Sequence, residues 1–396
     1  MINFFRLILK ILTGNVKIYF KNPSHHEYIL FDDSSIVDFK YILKSLNYFP
    51  LKVRLDKIEY IYCSFEILRK IINYLKFFNY AKNSIYTCYL ISLIEIINPR
   101  IVMSNIDNSL KYSDIINFYQ DKKNKIKFLT IQNAARYDVI INDLYYKKNF
   151  FSKNINKKFF IQNFLCFGKY EIDLYKKYEV TVKNFYTVGS LCLANFLQYI
   201  KENKIKIKKN LYKLSVLAEV PLDIIGVKNN EYAFVQVIKF TIQYCQKNNI
   251  SPKFVWKSDD ITDQINIYEK YLPAEYIMFI RDNVILRNNK NYTSYMTIFQ
   301  SEVLIGMAST LLREKLSLGE KVLCCNFSGS KVWEFPIKGI CYIEKSSYKI
   351  FEKNLDKILI MNSSKYIKKL KNKSQFLMVY NKNLSTIDKI MKIIRD

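Results

Sequence analysis

Short apolar runs, each followed by polar residues and a stretch with helical spacing, recur along this chain of 396 residues. Strands of a parallel sheet are buried on both faces, so they read as short, nearly continuous apolar segments separated by helices. The pattern therefore predicts an α/β fold with helices on both faces of parallel sheets. In the first half the runs are EYILFD (27–32), IEYIYC (58–63), RIVMSN (100–105), KFLTIQN (127–133), NFLCFG (163–168) and NFYTVGS (184–190).

A lysine-rich stretch, KENKIKIKKNLYK (201–213), interrupts this pattern near the middle of the chain. Its composition is typical of an interdomain linker, although an exposed helix would look similar. The strand pattern then restarts with LSVLAE (214–219), KFVWKS (253–258), NVILRN (283–288), EVLIGM (302–307) and KVLCCNF (321–327). Since one domain usually takes roughly 100–200 residues, we predict two domains, over residues 1–200 and 214–380, joined by 201–213 and followed by a C-terminal helix over 381–396.

The net charge of +27, from 62 Lys+Arg against 35 Asp+Glu, raises the question of a nucleic-acid partner. The basic residues are almost all lysines, and they are spread along the chain without forming one stripe. Lysine, asparagine, isoleucine and tyrosine are abundant together, which indicates coding bias from an AT-rich genome. We therefore expect no nucleic-acid partner, although such a charge attracts anionic lipid and phosphorylated substrates.

The eight cysteines include no CxxC pair and no metal-ligand spacing with His25 and His26. Reduced thiols in a core are therefore expected, which favours a cytoplasmic location. No segment reaches the roughly 18–20 apolar residues of a membrane span. Residues 1–20 begin MINFFRLILKIL and read either as a helix on the inner surface of the cytoplasmic membrane or as a helix packed on its own domain.

The most informative segment is Ser301–Glu334, which reads as strand, tight turn, helix, glycine stop and strand. Ser309 is placed as the helix N-cap. The turn of Gly306, Met307 and Ala308 before it leaves free N–H groups at the positive end of the helix, and this arrangement binds phosphate. Thr310, Arg313, Glu314 and Ser317 fall on one helix face, which we expect to be accessible. There Glu314 would accept hydrogen bonds from two ribose hydroxyls, although a solvated face with ion pairs explains the spacing as well.

This segment resembles the donor-nucleotide element of GT-B glycosyltransferases. The whole chain is similar to a bacterial surface carbohydrate biosynthesis family found among O-antigen and capsule enzymes. The pieces that carry the resemblance are ILFD (29–32), IDN (106–108), TIQNAAR (130–136), CFG (166–168), VGS (188–190), VWK (255–257), IGMASTLLREKLSLGEKVLCCNF (305–327) and EFPIKGIC (334–341). One departure is Ala134, where relatives are expected to carry a glycine suited to a positive backbone angle.

The resemblance implies two Rossmann-like domains facing a cleft, with the C-terminal helix packing back toward the N-terminal domain. It also implies a nucleotide-sugar co-substrate, held mainly by the C-terminal domain, with no cofactor and no bound metal. Cationic side chains and the helix dipole would then stabilise the leaving phosphate. Lys257 at a strand end, Arg281, Arg287 and the backbone at Ile285 are the further donor-site candidates.

The acceptor side of the site is expected in the N-terminal domain. A transfer with inversion needs a general base beside the acceptor hydroxyl. Asp107 is the first candidate, followed by Asp32 and Asp33 and then by Asp138, because all of them follow apparent strands. For acceptor binding we single out Gln132, Asn133, Arg136, Gly189 and Ser190.

Together these features predict a metal-independent glycosyltransferase that moves a sugar from a UDP-, GDP- or CMP-linked donor to a lipid-linked surface glycan. Two other functions stay open. One is another reaction on the same fold, such as a UDP-sugar 2-epimerase or a polyol-phosphate transferase. The other is a non-catalytic scaffold within a polysaccharide assembly complex.

Overall fold

The computed structural model describes residues 13–77, 84–120, 126–136, 159–178, 180–219, 230–371 and 373–396. Within them are two six-stranded sheets in which all neighbouring strands run parallel. The predicted α/β fold with two Rossmann-like units is therefore confirmed. The strands are β1 (Lys17–Tyr19), β2 (Tyr28–Phe31), β3 (Tyr48–Leu51), β4 (Tyr60–Tyr62), β5 (Ile101–Ser104), β6 (Lys127–Ile131), β7 (Phe160–Cys166), β8 (Thr181–Thr187), β9 (Tyr212–Ala218), β10 (Lys253–Trp256), β11 (Val284–Ile285), β12 (Ser301–Gly306), β13 (Lys321–Cys325) and β14 (Tyr342–Ile343).

Helices connect the strands and cover the sheets. They are α1 (Ile36–Leu43), α2 (Phe65–Phe77), α3 (Ser84–Ile97), α4 (Leu110–Gln120), α5 (Lys169–Lys177), α6 (Leu191–Glu202), α7 (Asn230–Lys247), α8 (Thr262–Glu269), α9 (Ala274–Asn283), α10 (Thr293–Gln300), α11 (Thr310–Ser317), α12 (Tyr348–Leu359), α13 (Ser363–Lys369), α14 (Ser374–Leu377) and α15 (Thr386–Arg395). No helix in the described part of the chain is long and apolar enough to cross a membrane.

The first sheet has the order β3-β2-β5-β6-β7-β8, and the second has the order β11-β10-β9-β12-β13-β14. In each sheet, the strands that come first in the sequence are added toward one edge. The later strands are added from the centre of the sheet toward the other edge. The direction changes between β2 and β5 in the first sheet and between β9 and β12 in the second. Sheets of this kind bind ligands beyond the carboxyl ends of the strands at such switch points.

Both faces of the first sheet are buried, as its strands predict. In β2, Ile29 and Phe31 belong to one apolar cluster, while Tyr28 and Leu30 belong to another on the opposite face. This alternation follows from the two-residue period of a strand. Helices α3 and α4 contribute to the first cluster, and α1, α6 and α15 contribute to the second.

The C-terminal helix α15 packs on the first sheet, so the prediction that it returns to the N-terminal unit is confirmed. Ile390 and Ile394 are fully buried in the cluster that covers this sheet. Two cations at the start of strands add polar contacts, because Lys127 Nζ donates to the carbonyl oxygen of Ile393 at 2.6 Å and Arg100 to that of Ile394 at 2.9 Å. Ser385 and Asp388 begin the helix with a capping box.

Two assignments near the N-terminus differ from the sequence analysis. The run IEYIYC forms β4, which pairs with β1 in a separate two-stranded sheet and adds no strand to the first sheet. The edge strand is β3, YFPL, where Pro50 is tolerated because an edge strand leaves backbone N–H groups unpaired. Since Lys17–Tyr19 is a strand, a helix over all of residues 1–20 is wrong. Residues 1–12 lie outside the described residues.

The lysine-rich segment 201–213 connects the two sheets. Its first two residues complete α6, its last two begin β9, and the residues between them are not helical. The alternative of an exposed helix over this segment is therefore wrong. The limits of the two domains, as drawn from the sequence, remain a prediction.

Candidate active site

The turn between β12 and α11 lies at the switch point of the second sheet. Ser309 is the N-cap of α11, and its hydroxyl accepts a hydrogen bond from the backbone N–H of Leu311 at 3.3 Å. Gly306 packs closely on β9, because a Cβ there would come within 2.9 Å of Leu217 Cδ1 and the Leu217 side chain would have to shift. The tight approach of β9 to this turn brings the residue after β9 to the amino end of the helix.

That residue is Glu219, which the sequence analysis did not single out. Its Oε2 accepts a hydrogen bond from the backbone N–H of Ala308 at 3.2 Å. Burial raises the pKa of this carboxyl to about 7, while hydrogen bonds from Ala308, Ser309 and Met307 and the charge of Lys257 oppose the rise. An acidic side chain therefore occupies the position where the phosphate was predicted. Its place directly after a strand, beside the switch point, was a signal that the sequence did contain.

Lys257 and Ile285 follow the neighbouring strands at the same edge. Lys257 comes directly after β10 and is exposed, and its charge acts on Glu219. Ile285 ends β11, where it pairs with Val255. Arg287 follows, and its backbone N–H donates to the carbonyl oxygen of Ser258 at 2.9 Å. These residues follow β10 and β11 at the carboxyl edge of the sheet, and the charge of Lys257 reaches Glu219 at the amino end of α11.

Arg281 does not belong to this group. It lies in the last turn of α9, which leads directly into β11, so it sits at the amino edge of the parallel sheet. Its guanidinium pairs there with Glu269 at 3.3 Å, and both side chains are more than 40% exposed. The assignment of Arg281 to the donor site is therefore wrong, because ligands of such sheets bind at the opposite edge.

The polar face of α11 is buried, so the prediction of an accessible face is also wrong. Arg313, Glu314 and Ser317 are each at most 2% exposed. The face packs against loops at the carboxyl edge of the first sheet: Thr310 Oγ1 accepts from the backbone N–H of Ala135 at 2.9 Å, and Arg313 pairs with Glu171 at 2.8 Å. Helical spacing identifies such a face correctly but does not distinguish water from a second polar surface as its neighbour.

Glu314 illustrates the difference. The hydroxyl of Tyr295 lies 3.0 Å from both of its carboxylate oxygens, and the Ser190 hydroxyl donates to Oε1. Burial raises the pKa of Glu314 to about 7, and these two hydrogen bonds oppose the rise. Two protein hydroxyls thus occupy the oxygens that were predicted to receive two ribose hydroxyls. Ser190, predicted as an acceptor contact, instead joins α6 to α11 and caps α6 through Leu193.

Gly189 is likewise committed to packing. Its φ is 90°, and a Cβ at this position would come within 2.4 Å of the carbonyl oxygen of Val379. Thr386 at the start of α15 donates to the carbonyl oxygen of Val188 at 2.7 Å. The VGS segment therefore binds the returning C-terminal chain, and protein backbone fills the side of Gly189 where a Cβ would stand. The acceptor contact of Gly189 stays a prediction.

Two residues predicted for different tasks bind one another. Asp107 is 1% exposed, and Arg136 grips it through two nitrogens, with Nε 3.0 Å from Oδ2 and Nη2 close to Oδ1. Tyr175 adds a hydroxyl at 3.3 Å. A buried, bidentate ion pair does not offer the accessible carboxylate that a general base needs. Asp107 therefore fits a positioning role for Arg136 better than the predicted role of base.

The TIQNAAR segment contacts α11 of the second unit through the backbone of Ala135 and Arg136. Gln132 is buried, accepts from the backbone N–H of Phe167 at 2.9 Å and donates to Glu171 at 3.3 Å. This makes Gln132 part of the Glu171–Arg313 contact rather than a free acceptor ligand. Asn133 is exposed. Ala134 is not among the described residues with positive φ, so the missing glycine costs no backbone strain.

Asp32 lies at the switch point of the first sheet, directly after β2. It has a φ of 77°, a conformation that costs a residue with a side chain of its size about 1–3 kcal/mol and that clusters at functional sites. Its carboxylate is buried and accepts from Arg54 Nε at 2.8 Å and from the backbone N–H of Ser34 at 3.1 Å. Asp33 pairs with Lys52 at 2.5 Å. Both aspartates are thus held by cations from the β3–β4 connection.

Asp38, in the first turn of α1, was missed by the sequence analysis. Asn105, which follows β5, donates to its Oδ2 at 2.6 Å. Burial raises the pKa of Asp38, and Asn105 and the charge of Arg287 oppose the rise. Arg287 belongs to the second sheet's edge, so Asp38 faces the region where the two units meet. It is only partly buried, which is what a proton-accepting group requires.

Two further expectations concern metals and Asp138. Within the described ranges no group of three or more His, Cys, Asp or Glu side chains is arranged to hold a metal ion. His25 and His26 precede β2 and lie at the amino edge of the first sheet, away from the switch point. Asp138, the third candidate base, lies outside the described residues.

Comparisons with known proteins bear on the fold. No protein-family model and no curated protein matches the sequence. The structure is similar to the wall teichoic acid polymerase TagF, with a TM-score of 0.51 and 15% identity over 99% of this chain and 96% of that one. For MnaA of S. aureus, solved with UDP, the TM-score is 0.52 and the identity is 9%, over 93% of this chain and 96% of that one. A proposed UDP-N-acetylglucosamine 2-epimerase from Listeria monocytogenes gives 0.53 and 10% over the same shares. These likenesses show the GT-B-type fold.

Proposed function

We propose that this protein is a glycosyltransferase that moves a sugar from a nucleotide-sugar donor to a growing bacterial surface polysaccharide, of the lipopolysaccharide O-antigen or capsule kind. The observation that carries the proposal is the position of the α11 amino end. It lies at the switch point of a 3-2-1-4-5-6 sheet and faces a second sheet whose own switch point carries carboxylates. Proteins with this fold include one solved with UDP.

The donor phosphates are proposed to bind the turn of Gly306, Ala308 and Ser309. The N–H of Ala308 is aimed at a carboxylate oxygen, which supports an anion position there. Lys257, exposed beside Glu219, supplies a cation for the phosphates, and the backbone at Ile285 is proposed to meet the base. Charge that develops on the leaving phosphate is then stabilised by the helix and Lys257, without a metal or cofactor.

Glu314 reaches a ribose only if its present hydrogen bonds to Ser190 and Tyr295 are released. We therefore assign the described arrangement to a closed state in which α11 is docked on the first sheet. Separation of the units would free Thr310 and remove the hydrogen bond from Ser190 to Glu314, since both of these contacts come from the first unit. The bond from Tyr295 to Glu314 lies within the second unit, so the Tyr295 side chain must also turn away. Donor entry is then coupled to a change in the distance between the two sheets.

For the chemical step, the acceptor hydroxyl attacks the anomeric carbon, its proton passes to a carboxylate, and the bond from that carbon to the phosphate oxygen breaks. Asp38 is our choice of base, because it is partly exposed, carries a raised pKa and faces Arg287 of the other unit. Asp32 is the second choice, although Arg54 and Ser34 bind its carboxylate. Asn133 and Arg136 are proposed to contact the acceptor.

The acceptor is proposed to be a lipid-linked glycan at the inner surface of the cytoplasmic membrane. Two features support this part of the proposal: the net charge of +27, and the sequence of residues 1–12, which is apolar with Arg6 and Lys10 and no acidic residue. Apolar segments with basic residues bind anionic membrane surfaces.

The first test is a thermal-shift series with UDP, GDP and CMP on the wild type and on Ser309→Ala and Lys257→Ala. A ligand that binds only the folded state raises the melting temperature, so one nucleotide is expected to do so and both substitutions to reduce the rise. Lys290→Ala, an exposed lysine near β11, is the matched control. If no nucleotide shifts the wild type, the proposal is wrong.

The second candidate is a 2-epimerase acting on a UDP-sugar, which the likeness to the Listeria protein favours on fold alone. An epimerase changes the sugar of its donor without any acceptor. Incubation of the protein with UDP-N-acetylhexosamines alone, followed by proton NMR of the sugar, separates the two reactions. Release of free nucleotide only when bacterial membranes are added supports the transferase, and inversion at C2 without membranes supports the epimerase.

A further inference from the structure

The outer face of α2 carries large apolar side chains that are largely exposed in the described structure. Phe65 is 84% exposed, Leu68 46% and Ile72 60%. Their spacing of three and four residues places them on one side of the helix. The opposite side is apolar as well, because Ile67 is 1% exposed and packs in the cluster formed with α3. The helix therefore buries one apolar side in its own unit and presents another to its surroundings.

The end of the β1–β4 ribbon extends this surface. Phe20 follows β1 and is 80% exposed, and Lys21 beside it is exposed too. Asn22 donates to Glu66 Oε2 at 2.8 Å, and the backbone N–H of Cys63 donates to the carbonyl oxygen of Tyr19 at 2.8 Å. These bonds hold Phe20 beside the first turn of α2. We call Phe20, Lys21, Phe65, Leu68, Arg69 and Ile72 the α2 surface.

Three exposed cations lie on or beside the α2 surface, and one carboxylate, that of Glu66, lies in the first turn of α2. Lys21 and Arg69 are exposed, and Lys17 is exposed on the adjacent strand. The acidic residue of the first turn, Glu66, is engaged by Asn22, and Lys70 pairs with Glu95 on α3. Apolar side chains flanked by more cations than anions are complementary to a layer that is apolar inside and negative at its surface.

We propose that the α2 surface docks on an anionic lipid bilayer. A second copy of the chain is the less suitable occupant, because two such surfaces would bring their cations face to face. The segment that precedes the described chain has the same chemistry, since residues 1–12 combine phenylalanine, leucine and isoleucine with Arg6 and Lys10. The biological reason for this contact rests on the proposed lipid-linked acceptor. The contact itself is inferred from the exposed apolar side chains and the cations of the α2 surface.

The direction of α2 gives the contact a consequence for the acceptor. Helix α2 runs back along the sheet and is followed by α3, whose first turn places the Tyr86 hydroxyl on the carbonyl oxygen of Lys52 at the carboxyl edge. The α2 surface therefore extends from the amino edge toward the edge that carries Asp32 and Asp38. A bilayer along α2 lies beside the site, where a lipid-linked glycan could reach it without leaving the membrane.

The test is vesicle co-sedimentation of the full chain with phosphatidylcholine vesicles and with vesicles containing 30% phosphatidylglycerol. The double variant Phe65→Ser/Ile72→Ser removes the apolar contact, and Ile360→Ser is the matched control, because Ile360 is 83% exposed on the second unit. We expect the wild type and the control to bind the anionic vesicles, the double variant to bind them at least about tenfold more weakly, and high salt to weaken the wild type.

Two results would overturn the inference. One is equal binding of the double variant and the wild type, which would assign any membrane contact to residues 1–12. The other is a wild type that sediments with neither vesicle but forms a dimer that the double substitution dissociates. The nucleotide-induced rise in melting temperature is measured on the same proteins. If nucleotide does not raise the melting temperature of the wild type, the transferase proposal is contradicted. If nucleotide still raises the melting temperature of the double variant, the substitutions removed the membrane contact alone.

Discussion

Arg313 of α11 and Glu171 of α5 form an ion pair of 2.8 Å in which neither side chain has any exposed area. The arginine also donates to the carbonyl oxygen of Arg136 at 2.6 Å. One partner belongs to the helix after the switch point of the second sheet and the other to the connection between the last two strands of the first. The two units are thus joined by charge in a place where water is excluded.

Removal of one member of this pair is expected to destabilise the protein strongly. Arg313→Ala leaves Glu171 buried without its countercharge, and such losses cost about 3–5 kcal/mol. Arg281→Ala breaks an exposed Arg–Glu pair with Glu269 and is expected to cost less than about 1 kcal/mol. Urea unfolding of both variants measures the difference. A small effect of Arg313→Ala would mean that the two units are not docked as described in solution.

The stability of the folded chain is expected to fall between about pH 4.5 and 7. Glu314 has its pKa raised from 4.5 to about 7 by burial, so the folded state retains a proton that the unfolded chain has already lost. The contribution of this carboxyl is complete below pH 4.5 and disappears as the pH rises through 7. Glu314→Gln removes this dependence and keeps a hydrogen-bonding side chain. The melting temperature of Glu314→Gln relative to that of the wild type should therefore be higher at pH 8 than at pH 5.

Nucleotide affinity should depend on pH through Glu219. The groups that face this carboxyl are Lys257, Tyr268 and the Cys324 thiol, together with the N–H groups of the α11 turn. Above its pKa of about 7, Glu219 is an anion at the position proposed for the donor phosphates. Below this pKa, Glu219 is neutral and competes less with the phosphates for the N–H groups of the turn. Calorimetric titration should show weaker binding at pH 8 than at pH 6. Glu219→Gln should lose this preference for the lower pH, and a wild type whose pH dependence equals that of Glu219→Gln would exclude Glu219 from the donor site.

Gly189 and Gly319 both have positive φ, but their surroundings differ. A Cβ on Gly189 would meet the Val379 carbonyl oxygen at 2.4 Å, whereas nothing lies within 4 Å of one on Gly319. Gly319→Ala is expected to cost about 1 kcal/mol from backbone strain alone. Gly189→Ala should cost about 3 kcal/mol or more, since the C-terminal chain must also move. Equal unfolding midpoints for the two variants would contradict the close contact at Gly189.

The fold could be predicted further than the site. The buried strands and the helix starts at Ser309 and Ser385 follow from apolar runs and local hydrogen bonding, which the sequence encodes within a few residues. The return of α15 to the first sheet was expected only from the family resemblance, because it joins segments far apart in the chain. Strand β3 was missed because Pro50 reads as a break until its place at the sheet edge is known. The role of Glu314 and the pair Asp107–Arg136 depend on residues far away in the chain, and spacing does not report such neighbours.

The last helix has a consequence for biosynthesis. Ile390 and Ile394 cover the first sheet, although every strand of that sheet is translated more than 190 residues earlier. While the ribosome synthesises the second unit, the apolar cluster that includes Leu129 and Ile131 is not yet covered by α15. Until residues 386–395 emerge, these side chains lack the cover that α15 provides, and transiently exposed apolar surface of this kind favours aggregation. Removal of the last ten residues would therefore destabilise the amino-terminal unit, although that unit is synthesised first.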